Sequence, residues 1–234
     1  MKTFVITFML DELLEKCIRS IPVDYIVDGG AQESTKLLAQ KYGIKYHGQR
    51  WYNICDELNW AFETGFKEDD IVLKLDNDTH SFTGLDHLAR AIETHPDCDI
   101  FMGIQYNTSL DEGPQWQEGF FAAMAVRKSA WEKLGPLDNT VLEDWDWARR
   151  WHEVGIKTCT PLEFKYVHDA HGTHRLLADK QDEYEPVRGA KVEAYYRKWA
   201  DKPKIDYKPY HEGYGPYHHF VDANGNILDK NPMR

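Results

Sequence analysis

The chain has 234 residues, 42% of them hydrophobic, with a formal net charge of −11; this is the upper end of one ordinary domain, or one domain with a C-terminal extension. Such a charge argues against a broad electrostatic grip on nucleic acid, which relies on clustered Lys and Arg, although it leaves room for a local basic patch. No apolar run approaches the ~18 residues needed to span a bilayer, and Cys17, Cys55, Cys98 and Cys159 form no C-x-x-C pair, so free thiols in a reducing cytoplasm are expected rather than a zinc or disulfide framework.

Phe4 to Leu10 reads as a buried first strand, not a signal peptide, because Asp11 and Glu12 follow at once and no small-residue cleavage site is present. Asp11 can cap a helix whose apolar positions are Leu14, Cys17, Ile18 and Ile21, stopped by Pro22. Tyr25-Ile26-Val27 is a second strand, ending at Asp28-Gly29-Gly30. Ser34 opens a helix carrying Leu37 and Leu38 that closes near Gly43. Ile54, Leu58, Ala61 and Phe62 form the next helical stripe, with Gly65 as its stop. Ile71 to Leu75 is a strand with Asp76-Asn77-Asp78 just beyond it, followed by a helix on Leu85, Leu88, Ala89 and Ile92 that ends before Pro96. Ile100 to Tyr106, Phe120 to Val126 and Ile156 to Thr160 read as strands, and Leu142 to Val154 as a helix. This alternation predicts an α/β sheet. Beyond about residue 175 the chain turns to a helix near Val187 to Ala200 and an aromatic tail with Tyr207, Tyr210, Tyr214 and Tyr217.

Open α/β sheets bind ligands at strand C-terminal ends. Two carboxylates one residue apart at such an end, Asp76 and Asp78, suit a hard divalent cation and a phosphate-bearing ligand, although D-x-D alone is also ordinary turn chemistry. Thr140-x-x-Glu143 has the pattern of a capping box, but Glu143, Asp144 and Asp146 together are more acids than a cap requires. A carboxylate at a rigid helix start is well placed to act as a general base. His168, His171 and His174 cluster after the last expected strand, and imidazole is a ligand that manganese accepts. Asp28 serves either as a turn former or as a hydrogen-bond acceptor for ribose or base, and Asn59 sits among apolar helix residues where its amide needs a partner. Trp116, Trp145 and Trp147 are either sugar-contacting faces or core; Trp147 and Trp151 share one helix face.

In this order, over about residues 3 to 172, these pieces resemble GT-A glycosyltransferases of the family 2 type. Val27-Asp28-Gly29-Gly30 is similar to the family's nucleoside loop, with one acid instead of two, and Asn59 falls on the Asn of its Ala-Arg-Asn-x-Gly helix, with Leu58 and Ala61 replacing the Arg and Gly. Leu75-Asp76-Asn77-Asp78 matches the D-x-D strand end, and Leu134 to Asp138 resembles the Gly-Gly-Phe-Asp turn. Glu143-Asp144-x-Asp146 matches the Glu-Asp motif, and His168 the histidine after the last core strand; the family's Pro-x-Tyr-Asn run is replaced by Phe8-Met9-Leu10-Asp11.

The resemblance implies a GT-A (Rossmann-like), mixed but mostly parallel sheet over residues 1–175, with 176–234 packed on it as an acceptor-side element, lid or oligomer contact. It implies Mn2+ or Mg2+ held by Asp76, Asp78 and His168, and a nucleoside-diphosphate sugar, a UDP-sugar first, contacted by Asp28, Asn59, Asp76, Asn77, Glu143 and Trp145. Asp144 is then the base of an inverting transfer to a carbohydrate or other hydroxyl-bearing acceptor. A glycosyltransferase acting on hydroxylated DNA bases, a nucleotidyltransferase and a non-catalytic nucleotide-sugar-binding module are the alternatives.

Overall fold

The computed structural model of the chain describes residues 1–7, 11–50, 53–108, 115–118, 121–169, 181–202 and 218–228. Its spine is a sheet that begins with β1 (Lys2–Thr7), β2 (Tyr25–Asp28), β3 (Lys45–Gly48) and β4 (Ile71–Asp76), all parallel in the order β4-β1-β2-β3. Parallel neighbours need crossovers, and the helices α1 (Asp11–Ser20), α2 (Glu33–Tyr42) and α3 (Ile54–Gly65) provide them. The helix α1 buries Leu14, Cys17 and Ile18, as its spacing predicts. In α2 the buried positions are Thr35 and Ala39; Leu38 packs partly buried against the apolar cluster, while Leu37 is 55% exposed. Gly65 ends α3 by close approach: a Cβ there would lie 2.5 Å from Val72 Cγ2 on β4. Phe8, Met9 and Leu10, the end of the expected first strand, lie outside the described residues.

After β4 come β5 (Thr79–Thr83), α4 (Leu85–Thr94), β6 (Ile100–Met102) and β7 (Ile104–Asn107). The single strand expected over Ile100 to Tyr106 is two, divided at Gly103. A Cβ on Gly103 would stand 2.8 Å from the Phe164 side chain and carbonyl, so the missing side chain lets the backbone pass from one sheet to the other. The strand β6 joins the large sheet, while β7 joins a four-stranded sheet ordered β5-β11-β7-β8, with β8 (Gln115–Glu118) and β11 (Lys165–His168). The strand β9 (Ala123–Arg127) lies antiparallel between β4 and β6; Phe120, where that strand was expected to begin, lies outside the described residues. The helices α5 (Lys128–Leu134) and α6 (Glu143–Val154) follow, then β10 (Thr158–Pro161). Two apolar clusters fill the faces of the large sheet, one around Phe4, Phe62, Trp131, Trp147 and Trp151, the other around Leu14, Ile26, Leu73 and Phe101. Trp147 and Trp151 are core, at 0% and 2% exposure.

The C-terminal segment is built into this frame. The strands β12 (His218–Val221) and β13 (Ile227–Leu228) extend the large sheet to nine strands, β12 pairing parallel to β10. The helix α7 (Gln181–Lys198) docks on α6 through Asp146, which is fully buried and receives Lys198 Nζ at 2.9 Å, Arg150 Nε at 3.0 Å and Trp199 Nε1 at 3.0 Å. A buried carboxylate is stable only when so compensated. Tyr207, Tyr210, Tyr214 and Tyr217 lie outside the described residues.

The expectation of four free thiols is corrected. Cys98 and Cys159 are joined in a disulfide, with Cα atoms 6.3 Å apart, while Cys17 and Cys55 are free and buried. The physical reason is that β6 and β10 are paired neighbours, which brings two cysteines remote in sequence side by side. Among the described residues no helix is long and apolar enough to cross a membrane. Thiol titration of the protein unfolded without reductant should therefore give two reactive groups, rising to four after reduction; four before reduction would show the bond absent.

Candidate functional site

Because β1, β2 and β4 are parallel, Thr7, Asp28 and Asp76 finish on one edge of the sheet. Asp28 is fully buried and shapes the loop after β2: its carboxylate accepts hydrogen bonds from the Gly30 amide (2.9 Å), the Gln32 amide (2.7 Å) and the Tyr46 hydroxyl (2.9 Å). With about four lone-pair sites on a carboxylate, most of the acceptor capacity of Asp28 is spent on its own loop. Ala31 in that loop has φ 50°, a left-handed conformation that a non-glycine side chain adopts only where its surroundings enforce it.

Beneath the loop lies Glu57, on α3 and only 4% exposed. A Cβ on Gly29 would come within 2.7 Å of Glu57 Oε2, so the glycine permits the contact. Burial, followed by repulsion from Asp28, pushes the Glu57 carboxyl up to about 9, against the stabilising backbone amides of Gly29 and Thr7. Glu57 is thus a neutral acid at physiological pH.

At the end of β4 the central group is Lys74, 1% exposed. Its ammonium meets Asp76 Oδ1 at 2.6 Å, donates to the Phe121 carbonyl, and lies 4.7 Å from the centre of the Phe121 ring. Phe121 itself has φ 59°, a strained conformation at the mouth of the site. Asn77 is buried, donating its amide to Thr7 Oγ1 at 3.0 Å, which locks β4 to β1. Asp78 is buried with His168 Nε2 3.5 Å from its Oδ1, and its carbonyl accepts the Asp169 amide at 2.8 Å. Burial opposes a charge on the His168 ring, but Asp78, with Asp76 behind it, outweighs burial and raises the imidazole above its usual range.

Among the described residues Asp78 Oδ1 and His168 Nδ1 make no hydrogen bond. A buried carboxylate oxygen that faces only an imidazole 3.5 Å away suits a hard divalent ion, which keeps water and phosphate oxygens as its other ligands. No ready-made group of three or more His, Cys, Asp and Glu for a metal stands among the described residues. His171 and His174 lie outside them.

The helix α6 brings the second set of acids. The expected capping box does not form: Leu142 is the N-cap, and Thr140 instead donates its amide and hydroxyl to Asp138 Oδ1. Glu143, Asp144 and Asp146 remain in the first turn, where the helix dipole favours them. Glu143 stands 3.8 Å from Lys191 of α7. Asp144 accepts the Trp145 amide at 2.8 Å, and its carboxyl is pushed up to about 6 by burial, then by Glu143, while Lys74 pulls it back. Asp144 therefore shares the electrostatic field of the β4 end. Trp145 packs edge-on against Tyr195 of α7, ring centres 5.7 Å apart. Asn59 accepts the Leu137 amide at 2.8 Å and donates to the Leu137 carbonyl at 3.1 Å, so it pins the 134–138 turn to α3. The side chain of Trp116 lies outside the described residues.

Two site residues escaped the sequence reading, and both carried a signal. Glu57 is an acid on the buried stripe of α3, three residues after Ile54 and four before Ala61. Lys74 is a cation inside an apolar strand, on the same face as Asp76 because side chains alternate.

With this geometry in view, solved structures of similar fold can be set beside the chain. The S. aureus TarS 1-349 structure shares 14% identity over 89% of this chain and 77% of that one, with TM-score 0.51. The longer S. aureus TarS structure shares 14% identity over 89% of this chain and 47% of that one, with TM-score 0.55. The chain has a GT-A-like fold. A mannosyltransferase, PcManGT from Pyrobaculum calidifontis in complex with GDP-Man and Mn2+, aligns at 14% identity over 87% of this chain and 76% of that one, with TM-score 0.49. No protein-family model matches the sequence, and no curated protein matches it.

Glu57 makes a pH-dependent demand on stability. Its folded pKa of about 9 lies above the unfolded value, so its contribution is fully present below about pH 4.5 and is lost as pH rises through about 9. Glu57→Gln keeps the shape without needing a proton. Chemical denaturation should show the variant gaining on the parent between pH 5 and 8, by at most roughly 1.4 kcal/mol per pH unit. A pH-independent difference would show that Glu57 is ionised in the folded protein.

Proposed function

We propose that this chain is a divalent-metal-dependent glycosyltransferase that moves a sugar from a nucleoside diphosphate, a UDP-sugar first, to an acceptor hydroxyl with inversion. The observation that carries this reading is the pair of acidic sites on a GT-A-like fold: Asp144 at the start of α6, its carboxyl pushed up to about 6 by burial and Glu143, and the β4 end, where Asp78 faces His168 and Asp76 is paired with Lys74. A base works best when its pKa lies near the operating pH.

Asp78 and His168, 3.5 Å apart, would hold the ion at the strand end, with Asp76 on the ribose or outer shell. When bound, Mn2+ or Mg2+ supplies positive charge to the leaving nucleoside diphosphate. The loop shaped by Asp28, backed by Glu57, forms the nucleoside side, and Asn77 keeps β4 in register with β1. Asp144 accepts the proton of the acceptor hydroxyl as that oxygen attacks the anomeric carbon from the face opposite the leaving group. Glu143 and Trp145, braced by Lys191 and Tyr195, line the approach. Asn59 acts at one remove, by fixing the turn that leads into α6.

A thermal-shift screen of nucleotide sugars with and without Mn2+ should give a stabilisation that requires both the ion and one donor class; no shift with any donor would refute the assignment. Asp144→Asn should lower kcat by about 100- to 10,000-fold with a much smaller change in donor KM, as expected for loss of a general base. The parent kcat should rise with pH through about 6 as Asp144 loses its proton, and the variant should lack that limb. Full transfer activity in a folded Asp144→Asn protein would remove Asp144 from the mechanism.

A further inference from the structure

Lysines are almost never fully buried unless paired, because desolvating an ammonium is expensive. Lys74 is such a case, on a central strand, with Phe4 and Met124 as its register neighbours. Its stem runs along the apolar cluster that contains both residues, and only its head reaches the rim. There it has two acceptors, Asp76 Oδ1 and the Phe121 carbonyl. Phe121 is held in a left-handed conformation, and its ring meets Trp147 of α6 edge-on at 5.9 Å. The ammonium thus joins β4, the lead-in to β9 and the face of α6 that follows Asp144.

The two acids of the Asp76-Asn77-Asp78 run are therefore unequal. Asp76 already has a fixed cation at 2.6 Å, whereas Asp78 Oδ1 faces only the His168 imidazole, at 3.5 Å, a group that can itself be a metal ligand. We propose that Lys74 is a positioning residue whose buried ammonium neutralises the half-buried Asp76, taking it out of the ion's ligand set and leaving Asp78, with His168, to hold the divalent cation. This inference rests on the metal-dependent reading above and refines it. A cation site with one available carboxylate binds the free ion less tightly than a site with two, so the ion is taken up together with the diphosphate rather than before it.

Calorimetry with Mn2+ alone, without nucleotide, tests the assignment on the full chain. Lys74→Met keeps the stem and removes the charge, so Asp76 becomes available to the ion. Mn2+ should then bind more tightly, on the order of tenfold, as one unit charge a few ångströms away dictates. A lysine that merely supported the fold would leave Mn2+ binding unchanged or weaken it, and either result would overturn the proposal. The double variant Lys74→Met/Asp76→Asn replaces the ion pair by two neutral groups and serves even where the single variant does not fold. It should bind Mn2+ as the parent does, and weaker binding would show Asp76 to be a ligand. Binding of Mn2+ to neither parent nor variant would sink this inference alone, whereas a nucleotide-sugar thermal shift that does not need Mn2+ would sink metal dependence. The expected Mn2+ pattern without transfer from any nucleotide sugar would sink the glycosyltransferase reading alone.

Discussion

The burial of the Lys74 ammonium is the constraint around which the rest of the site is arranged. A cation out of contact with water must be surrounded by acceptors, and this one has a carboxylate, a backbone carbonyl and an aromatic face. Those partners come from two pieces of chain, the end of β4 and Phe121, which supplies both the carbonyl and the ring. Asp76 ends β4, and the Phe121 carbonyl belongs to the lead-in to β9. The Phe121 ring packs on Trp147 within α6. Satisfying one charge therefore fixes the relative placement of the strand edge and the helix that bears Asp144. Burial and Glu143 raise the proton affinity of Asp144, and the backbone amides of Trp145 and Asp144, then the Lys74 charge, lower it. The outcome is a carboxyl poised near neutrality.

Glu143, Asp144 and Asp146 are close in sequence yet do three different things, because a helix turns them in different directions. Asp146 faces inward and is consumed by Arg150, Lys198 and Trp199, so it is the anchor of the C-terminal helix. Glu143 sits across from Lys191 on that same helix. Asp144 receives no side-chain cation among the described residues, only the Trp145 amide and the field of Lys74. The C-terminal segment is thus tied to both neighbours of the proposed base. The nucleoside side has a comparable division, since Asp28 is committed to its loop and the proton on Glu57 keeps a second buried negative charge from forming beside it.

Much of this was legible in the sequence because its signals are local. The periodicity of Leu14, Cys17 and Ile18 requires a one-sided helix, and the apolar run Ile71 to Leu75 requires a buried strand with Asp76-Asn77-Asp78 at its exit. Strand and helix alternation then implies parallel pairing, which places strand ends on one edge. Other features were not local. Thr140 had the spacing of a capping box, but Asp138 competes for it at shorter range. Asn59 was expected to need a partner for its amide, but the sequence could not say which: both hydrogen bonds go to Leu137, a residue 78 positions away. The division of Ile100 to Tyr106 at Gly103 follows from the approach of Phe164, which no window around residue 103 contains.

By itself, then, the sequence determined the α/β alternation, the positions of the chemistry-bearing carboxylates relative to strand and helix ends, and the absence of a long apolar span. Those properties depend on residues within one or two turns of each other. Tertiary structure alone decided which group compensates each of those carboxylates: Lys74 beside Asp76, Lys198 and Arg150 around Asp146, and the His168 imidazole facing Asp78 Oδ1. It also decided that Cys98 and Cys159 meet. Charge compensation and thiol pairing act through space over a few ångströms, and spatial neighbours on different elements are set by sheet order rather than by distance along the chain.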